Sequence, residues 1–207
     1  PYCQVVPMAK CRQPDSLVAL KLNDRYLPRR NGFPARAFFP GWYGMDSVKW
    51  LQRIVVLAPG EAAANFQASG MHQVYNRVVA DPAGGRKIVR LSEVLVKSAI
   101  AWPGDQMKLP AGRHEVQGFA WTGSGVVRAV EVSTDAGRTW NPARLEAAPK
   151  PFVWVRWRYG WNANPGDHIL LSRATDASGR KQPLVRDPAR KDGYELNFCQ
   201  PVHCAVR

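Results

Sequence analysis

The sequence predicts a mainly β protein whose second half folds as an antiparallel β-sandwich. Prolines and glycines, 17 of each among 207 residues, interrupt the chain every few positions and leave little room for long helices. After about residue 98, short segments of alternating apolar and polar residues follow one another, separated by turn residues. The hydrophobic fraction of 45% is high enough for a packed core and excludes a disordered chain.

The clearest strand of the second half is Val153–Trp161. Its odd-numbered residues are apolar, whereas Trp154, Arg156 and Arg158 lie between them, so one face is apolar and the other largely cationic. Three further strands are expected on the same grounds: Glu115–Trp121, Val126–Thr134 and Ile169–Thr175. Short strands separated by turn residues in this way predict a sandwich of about 100 residues.

The first half of the chain is less regular. One short helix is expected at Glu61–Ala68, directly after Pro59-Gly60. Strands are expected at three places: Leu17–Leu22, Ala35–Phe39 and Ile54–Leu57. We place the domain boundary near Leu95–Trp102, which gives domains at residues 1–97 and 98–207. The first of these is too short and too rich in loops to form a complete domain by itself.

The chain is strongly basic, with 29 Lys and Arg against 16 Asp and Glu and a net charge of +13. Such a field attracts anions, which include nucleic acid, acidic partners and small oxyanions. No basic tract with interleaved aromatic residues is present, so no nucleic-acid partner is expected. No apolar run reaches the roughly 20 residues of a membrane helix, so no membrane span is expected. Pro1–Cys11 shows no signal peptide, so either one was removed or the chain begins partway into a larger product.

The cysteines and histidines predict no metal centre. An even number of cysteines permits two disulfides, and unreactive thiols are the alternative; the four are Cys3, Cys11, Cys199 and Cys204. Their spacing is not the Cys-x-x-Cys of zinc sites or haem attachment. The histidines are scattered and predict no catalytic triad; they are His72, His114, His168 and His203. The catalytic residues of this chain are therefore unknown from its sequence.

Residues 133–140 read Ser-Thr-Asp-Ala-Gly-Arg-Thr-Trp and match the Asp box of sialidase propellers. In that motif the Asp accepts backbone hydrogen bonds within a tight turn, and the Trp packs beneath the turn. A propeller carries the motif once per blade, whereas it occurs once in this sequence. The motif therefore predicts a hairpin turn and not a glycosidase, because no pair of acids stands out as general acid and nucleophile.

The most specific pattern lies at residues 23–50, which read NDRYLPRRNGFPARAFFPGWYGMDSVKW. This segment resembles the end of the molybdopterin-binding domain in the sulfite oxidase family, where Leu-Pro precedes (His/Asn)-Gly-Phe-Pro-x-Arg and then Pro-Gly-x-x-Gly-x-x-x-Val-Lys-Trp. The resemblance implies a molybdenum–molybdopterin cofactor in the complete enzyme. It implies cofactor contacts at five positions: Asn31, Arg36, Ser47, Val48 and Lys49. Asn31 stands where the sulfite oxidases proper usually have His, which favours the bacterial branch.

These residue types suit a cofactor that carries a phosphate and a polar pterin edge. Arg36 offers a planar fork of donors, and Lys49 offers a point charge. Gly41 and Gly44 would let the backbone pass close enough for N–H groups near Ser47 to reach the cofactor. The alternative is that Arg36 and Lys49 are surface charges on a loop-rich segment. Two tryptophans of the segment are expected to be core or packing residues: Trp42 and Trp50.

The second half resembles the dimerisation domain of the same family. Four segments carry this resemblance: Gly112–Trp121, the Val130–Asp135 hairpin, Ala174–Asp176 and Lys191–Asn197. The resemblance implies the C-terminal end of an α+β molybdopterin-binding domain, followed by an immunoglobulin-like β-sandwich. It also implies a homodimer through the C-terminal domain, a periplasmic location, an electron-accepting cytochrome and a small anionic substrate. Sulfite or a related sulfur oxyanion would be oxidised by oxygen-atom transfer.

Two features of the family are missing from this sequence. The family holds molybdenum through a cysteine in a Cys-x-Gly-Asn type motif, and none of the four cysteines has that context. The family's active-site Tyr is expected near Gly70–Tyr75. Tyr75 itself lies a few residues after the expected point, so it is not assigned this role. The chain alone is therefore not expected to catalyse. The alternative reading is a non-catalytic dimerisation module left by truncation of such an enzyme, or a truncated product without function.

Overall fold

The computed structural model describes residues 2–68, 75–188 and 195–207. Contacts between residues divide the chain into two compact units, Pro1–Glu93 and Val94–Arg207. The sequence places the domain boundary after residue 97, and the first strand of the second unit begins at Lys97. Within the described residues, no helix has both the length and the apolar character needed to cross a membrane.

The first unit consists of short elements joined by loops. Its helices are α1 (Met8–Cys11) and α2 (Pro59–Ala68), with 3-10 turns at Arg29–Asn31 and Gly44–Asp46. Its strands are β1 (Leu17–Ala19), β2 (Lys21–Leu22), β3 (Arg25–Tyr26), β4 (Arg36–Phe38), β5 (Asn76–Ala80) and β6 (Arg86–Arg90). They form three two-stranded antiparallel pairs, β1 with β4, β2 with β3 and β5 with β6.

The predicted helix is confirmed as α2. Pro59 occupies its first position, where no N–H donor is needed, and the Glu61 carboxylate accepts a 2.8 Å hydrogen bond from the Ala58 N–H. The expected strand at Leu17–Leu22 is split at Leu20 into β1 and β2, because its two parts pair with different partners.

The predicted strand at Ile54–Leu57 is wrong. This segment has no ladder partner among the described residues, and Ile54 and Val56 are 69% and 76% exposed. The last hydrogen bond before it is donated by the Leu51 N–H to the Ala35 carbonyl, at 2.8 Å. An apolar run indicates a preference for burial, but a strand also requires a neighbouring backbone to complete its hydrogen bonds.

Two sheets form the sandwich of the second unit. The strands are β7 (Lys97–Trp102), β8 (Met107–Leu109), β9 (Gly112–Trp121), β10 (Val127–Ser133), β11 (Asn141–Pro142), β12 (Arg144–Leu145), β13 (Val155–Ala163), β14 (Gly166–Asp176) and β15 (Val202–Val206). One sheet has the order β11-β10-β14-β15-β8 and the other β12-β13-β9-β7. All neighbours are antiparallel except β15 and β8, which are parallel. The mainly β fold and the sandwich are thus confirmed.

The core of the sandwich comes from the inner faces of both sheets. Trp157 on β13 and Leu170 on β14, which belong to different sheets, are both fully buried in one hydrophobic cluster. The predicted alternation along β13 is observed, since Val155, Trp157 and Trp161 are buried and Arg156 is exposed. The strand begins two residues later than predicted, because its pairing with β9 starts at Val155.

The turn after β10 has the hydrogen bonds that the Asp box predicts. The Asp135 carboxylate accepts from the Thr139 N–H at 2.9 Å and from the Thr139 hydroxyl at 2.6 Å. These bonds, and one from the Ser133 hydroxyl, hold the pKa of Asp135 far below its usual range. The Trp140 indole donates to the Gly137 carbonyl at 3.0 Å and closes the turn. The prediction of a structural hairpin turn is confirmed.

All four cysteines are free thiols in this structure. Cys199 and Cys204 are buried in the second unit, whereas Cys3 and Cys11 are exposed in the first. Burial disfavours the thiolate and raises the pKa of Cys199 to about 11. Of the two alternatives that the sequence leaves open, the structure has free thiols and no disulfide among these four cysteines.

The side chain of a buried glutamine hydrogen-bonds to the backbone of both sheets. Gln182 is 2% exposed, and its Oε1 accepts from the Ser98 N–H on β7 and the Ala174 N–H on β14, at 2.7 and 3.1 Å. Its Nε2 donates back to the Ser98 carbonyl at 3.2 Å. Since β7 and β14 belong to different sheets, this one amide satisfies backbone groups on both.

We expect the Gln182→Leu substitution to lower the free energy of unfolding of the sandwich by about 2–4 kcal/mol, because it leaves two buried N–H donors without a partner. Urea unfolding followed by circular dichroism measures the change. Lys181→Gln, at the preceding residue, is the matched control, since it alters only an exposed ion pair with Glu131. Equal, small effects of the two substitutions would contradict the role of the amide.

Candidate functional site

Arg36 is the centre of the segment that the sequence singles out. It lies on β4 and is partly buried. Its Nη1 donates to the Asn31 carbonyl at 3.3 Å, and its Nη2 donates to the Ser47 carbonyl at 3.2 Å. Its Nε is buried and has no hydrogen-bond partner among the described residues. The guanidinium therefore connects two separate loops through its Nη atoms, while its Nε–H has no partner among the described residues.

The Ser47–Leu51 backbone lies along the β4 segment. The Ala37 N–H donates to the Val48 carbonyl at 2.9 Å, and the Phe39 N–H donates to the Ser47 hydroxyl at 3.2 Å. Ser47 is only 5% exposed, so its hydroxyl is committed to this contact. The structure thus places Ser47 and Val48 beside β4, although they follow it by about ten residues in sequence.

Gly32 leaves room for the close approach of Arg36 and Lys49. Gly32 has a φ of 112°, and a Cβ there would stand 3.1 Å from the Cβ atoms of both Arg36 and Lys49. The Lys49 Nζ donates to the Arg30 carbonyl at 3.1 Å and lies 5.2 Å from the centre of the Trp50 ring. Any side chain at position 32 would push these neighbours apart.

The structure therefore brings the five predicted residues into one cluster. Asn31, Ser47 and Val48 are joined through Arg36 and β4, and Lys49 follows directly on the exposed side. The Arg36 guanidinium, whose Nε has no partner among the described residues, and the exposed Lys49 ammonium are the types of donor that suit phosphate and pterin oxygens. Gly44, which precedes Ser47 in the same turn, is exposed, and a Cβ there would meet nothing within 4 Å in the described part of the chain. The residues present fit such a group.

Comparison with known proteins gives the family. The oxidoreductase molybdopterin binding domain matches residues 1–64, and the Mo-co oxidoreductase dimerisation domain matches residues 86–189, half of the chain. The chain belongs to the sulfite oxidase family. Membership in this family implies a molybdenum–molybdopterin cofactor for the complete enzyme, as the sequence pattern predicts.

Several relatives share most of this chain. Sulfite oxidase of Gallus gallus is 35% identical over 192 residues, which is 88% of this chain and 41% of the relative. The NADH nitrate reductase of Ulva prolifera is 29% identical over 83% of this chain and 22% of its own length. The crystal structure of the sulfane dehydrogenase SoxCD from Paracoccus pantotrophus superposes with a TM-score of 0.74 at 27% identity, over 96% of this chain and 50% of that one. The chain spans half or less of the length of these relatives.

Two expectations for the segment at residues 23–50 need correction. The N–H groups of Ser47 and Val48 donate to the Gly44 and Asp46 carbonyls within the turn, at 3.1 and 3.0 Å, so they are already engaged. Trp50 is 54% exposed and is not a core residue. Its indole donates to the Arg29 carbonyl at 2.9 Å and so holds the loop beside Lys49.

Other expectations fall partly outside the described residues. Of the stretch Gly70–Tyr75, near which the family's Tyr is expected, only Tyr75 is among the described residues, and His72 lies outside them. Residues 191–194 of the family's closing segment also lie outside. The described histidines contact main-chain carbonyls or, in the case of His203, the Asp105 carboxylate at 3.0 Å. The described residues contain no group of three or more His, Cys, Asp or Glu placed to hold a metal.

A buried ion pair beside the cluster was not predicted from the sequence. Asp46 is 0% exposed and pairs with Arg90, which lies 44 residues further along the chain on β6. Burial raises the pKa of Asp46 to about 6, although the Arg90 guanidinium acts in the opposite direction. No sequence signal relates the two residues, because their separation is long and neither belongs to the family pattern.

The raised pKa of Asp46 predicts a pH dependence of stability. A folded-state value near 6 lies above the usual 3.8, so the folded state holds a proton that the unfolded state has released between these values. This contribution is complete below about pH 4 and is lost as the pH rises through about 6. We expect wild type to lose stability relative to the Asp46→Asn variant over this interval, as measured by thermal unfolding at several pH values. A constant difference between the two proteins would contradict the raised pKa.

Proposed function

We propose that this chain is the C-terminal portion of a molybdenum-cofactor oxidoreductase that oxidises sulfite or a related small sulfur oxyanion. The observation that carries the proposal is the cluster around Arg36. Loops that are distant in sequence meet there, with a buried guanidinium N–H that has no partner among the described residues and an exposed ammonium nearby in the chain. Those are the donors that a phosphorylated pterin requires.

Each residue of the cluster has a separate part in holding the cofactor. The Arg36 Nε would donate to a phosphate or pterin oxygen while its two Nη atoms keep the Asn31 and Ser47 carbonyls in place. Lys49 would add a positive charge on the solvent side. Ser47 and Val48 would contribute through the position of their backbone, which is fixed by β4. When bound, the cofactor supplies two-electron oxygen-atom transfer.

The names of the relatives and the net charge of the chain support the proposed substrate class. A relative at 35% identity is named sulfite oxidase, and the structural neighbour is a sulfane dehydrogenase. The net charge of +13 would draw a small anion toward the protein. Nitrate reductases are also among the relatives, at 29–32% identity, so nitrate belongs in any substrate test.

The remaining features of the proposal concern assembly and location. The sandwich, which we take to be immunoglobulin-like, would join two copies into a homodimer; its match to a dimerisation domain supports this. An electron-accepting cytochrome and a periplasmic location complete the proposal, by analogy with bacterial members of the family.

A second function from a different class is a non-catalytic dimerisation module. It is favoured by the absence of a Cys-x-Gly-Asn motif from the sequence, which leaves the chain without the family's molybdenum ligand. This module would dimerise through the sandwich and bind no cofactor.

The molybdenum content of the protein, purified by size exclusion from a host that makes the cofactor, separates the two functions. The complete enzyme is expected to carry close to one molybdenum per protomer and to reduce an artificial electron acceptor with sulfite as the donor. It is not expected to oxidise a reduced artificial donor with nitrate as the acceptor. A clean dimer without metal would favour the non-catalytic module. Bound molybdenum without oxidation of sulfite or other sulfur compounds would rule out the proposed substrate class.

A further inference from the structure

The turn at Gly44–Asp46 is held from outside the cofactor cluster. Asp46 directly precedes Ser47, and the Asp46 carbonyl accepts the Val48 N–H at 3.0 Å. Its side chain is completely buried and points away to Arg90 on β6. A shift of the Asp46 side chain would therefore move the backbone that carries Ser47 and Val48.

Arg90 is itself fixed by several groups. Its Nη2 donates to the Gln4 Oε1 at 2.9 Å as well as to the Asp46 Oδ1. Its guanidinium carbon lies 5.5 Å from the centre of the Trp42 ring, within cation–π range. The Arg90 guanidinium is thus held in one place, and its ion pair holds the Asp46 carboxylate there as well.

The backbone after Arg90 is also aligned with the turn. The Tyr43 N–H donates to the Ser92 carbonyl at 2.8 Å, and Trp42 forms an isolated antiparallel bridge with Glu93. Residues 90–93 therefore run beside residues 42–46 through both main-chain and side-chain contacts. Arg90 lies outside residues 1–64, which the molybdopterin-binding domain matches, and within residues 86–189, which the dimerisation domain matches.

We propose that Asp46 and Arg90 are positioning residues that set the backbone of Ser47–Lys49 for cofactor binding. This inference rests on the proposed cofactor role of Ser47, Val48 and Lys49. The Asp46 Oδ2 has no hydrogen-bond partner among the described residues, so the ionised pair is incompletely compensated. A buried pair of this kind contributes little to stability compared with an apolar pair of similar volume, but it can specify a unique local arrangement. Position, more than stability, is what the pair provides.

Hydrogen exchange of the 207-residue chain tests this inference without any cofactor. The Ala37 and Phe39 amides are the reporters, because they donate to the Val48 carbonyl and the Ser47 hydroxyl. In the Arg90→Gln variant both are expected to exchange at least about tenfold faster, and Arg90→Lys is expected to restore part of the protection. The double variant Asp46→Leu, Arg90→Met removes both charges and should melt near the wild-type temperature.

The double variant decides between position and stability. If the double variant exchanges its Ala37 and Phe39 amides fast although it melts near the wild-type temperature, positioning is supported. If it has both the wild-type melting temperature and the wild-type protection of these amides, positioning is overturned. Unchanged exchange in Arg90→Gln would overturn it as well. Arg173→Gln is the matched control. It breaks a partly buried ion pair with Glu131 in the other unit and should leave the exchange of the Ala37 and Phe39 amides unchanged.

A second readout links the pair to the cofactor. In the complete enzyme, Arg90→Gln and the double variant are expected to retain molybdenum about tenfold less well than wild type after size exclusion, as loss of an outer contact does in other metal sites. Retention at the wild-type level would overturn the positioning role. If the wild-type enzyme itself holds no molybdenum, the proposed function fails, and the exchange experiment still decides whether the pair positions the loop.

Discussion

The Arg36→Lys variant of the complete enzyme is expected to retain molybdenum about 10–100-fold less well than wild type. Arg36 donates from both Nη atoms to carbonyls on separate loops and keeps its Nε for the cofactor. A lysine ammonium is a single point donor on a flexible stem and cannot span the Asn31 and Ser47 carbonyls while presenting a third N–H inward. The metal content per protomer, measured after size exclusion, reports the loss.

Arg25→Lys is the matched control for this substitution. Arg25 is an exposed arginine on the β2–β3 hairpin of the same unit, so its replacement changes neither the net charge nor the cluster. Its molybdenum content should equal that of wild type. Normal molybdenum retention in Arg36→Lys would mean that Arg36 serves only to connect the two loops. Equal losses in both variants would point to a general effect of arginine replacement.

The Gly118→Ala variant is expected to destabilise the sandwich by about 3 kcal/mol or more, or to prevent its folding. A Cβ at Gly118 would stand 2.2 Å from the Ala99 carbonyl oxygen on β7 and 2.3 Å from the Cζ2 of Trp157 on β13. One of these neighbours is backbone and the other is a fully buried indole, so neither can move away cheaply. The second unit's urea or thermal unfolding transition measures the effect.

Gly160→Ala supplies the control on the adjacent strand. Gly160 pairs with Glu115 on β9, and a Cβ there would meet nothing within 4 Å among the described residues. This substitution is expected to change stability by less than about 1 kcal/mol, and in the stabilising direction, because it reduces the freedom of the unfolded chain. If the two glycine substitutions had similar effects, close packing at Gly118 would not be their cause.

Much of the sandwich could be predicted from local patterns. The alternation along Val155–Ala163 and the turn chemistry at Ser133–Trp140 depend on neighbouring residues, so they are visible in a short window of sequence. The boundaries were less predictable, because a strand extends as far as its partner does; β9 reaches back to Gly112 only because β13 continues to Ala163. The apolar run at Ile54–Leu57 was misread for the same reason, since no partner strand lies beside it in the described residues.

The candidate site divides in the same way. The sequence by itself determined the family and the mainly β fold, because these depend on residue types at fixed spacings. The cofactor contacts at the five positions from Asn31 to Lys49 rest on the same pattern and stay a prediction. Only the tertiary structure decided that Arg36 joins two loops, that Gln182 fastens the two sheets and that Arg90 holds Asp46. Contacts of this kind form between residues far apart in the chain, and they exist because buried polar groups must find partners wherever the fold brings them. No local pattern records that choice.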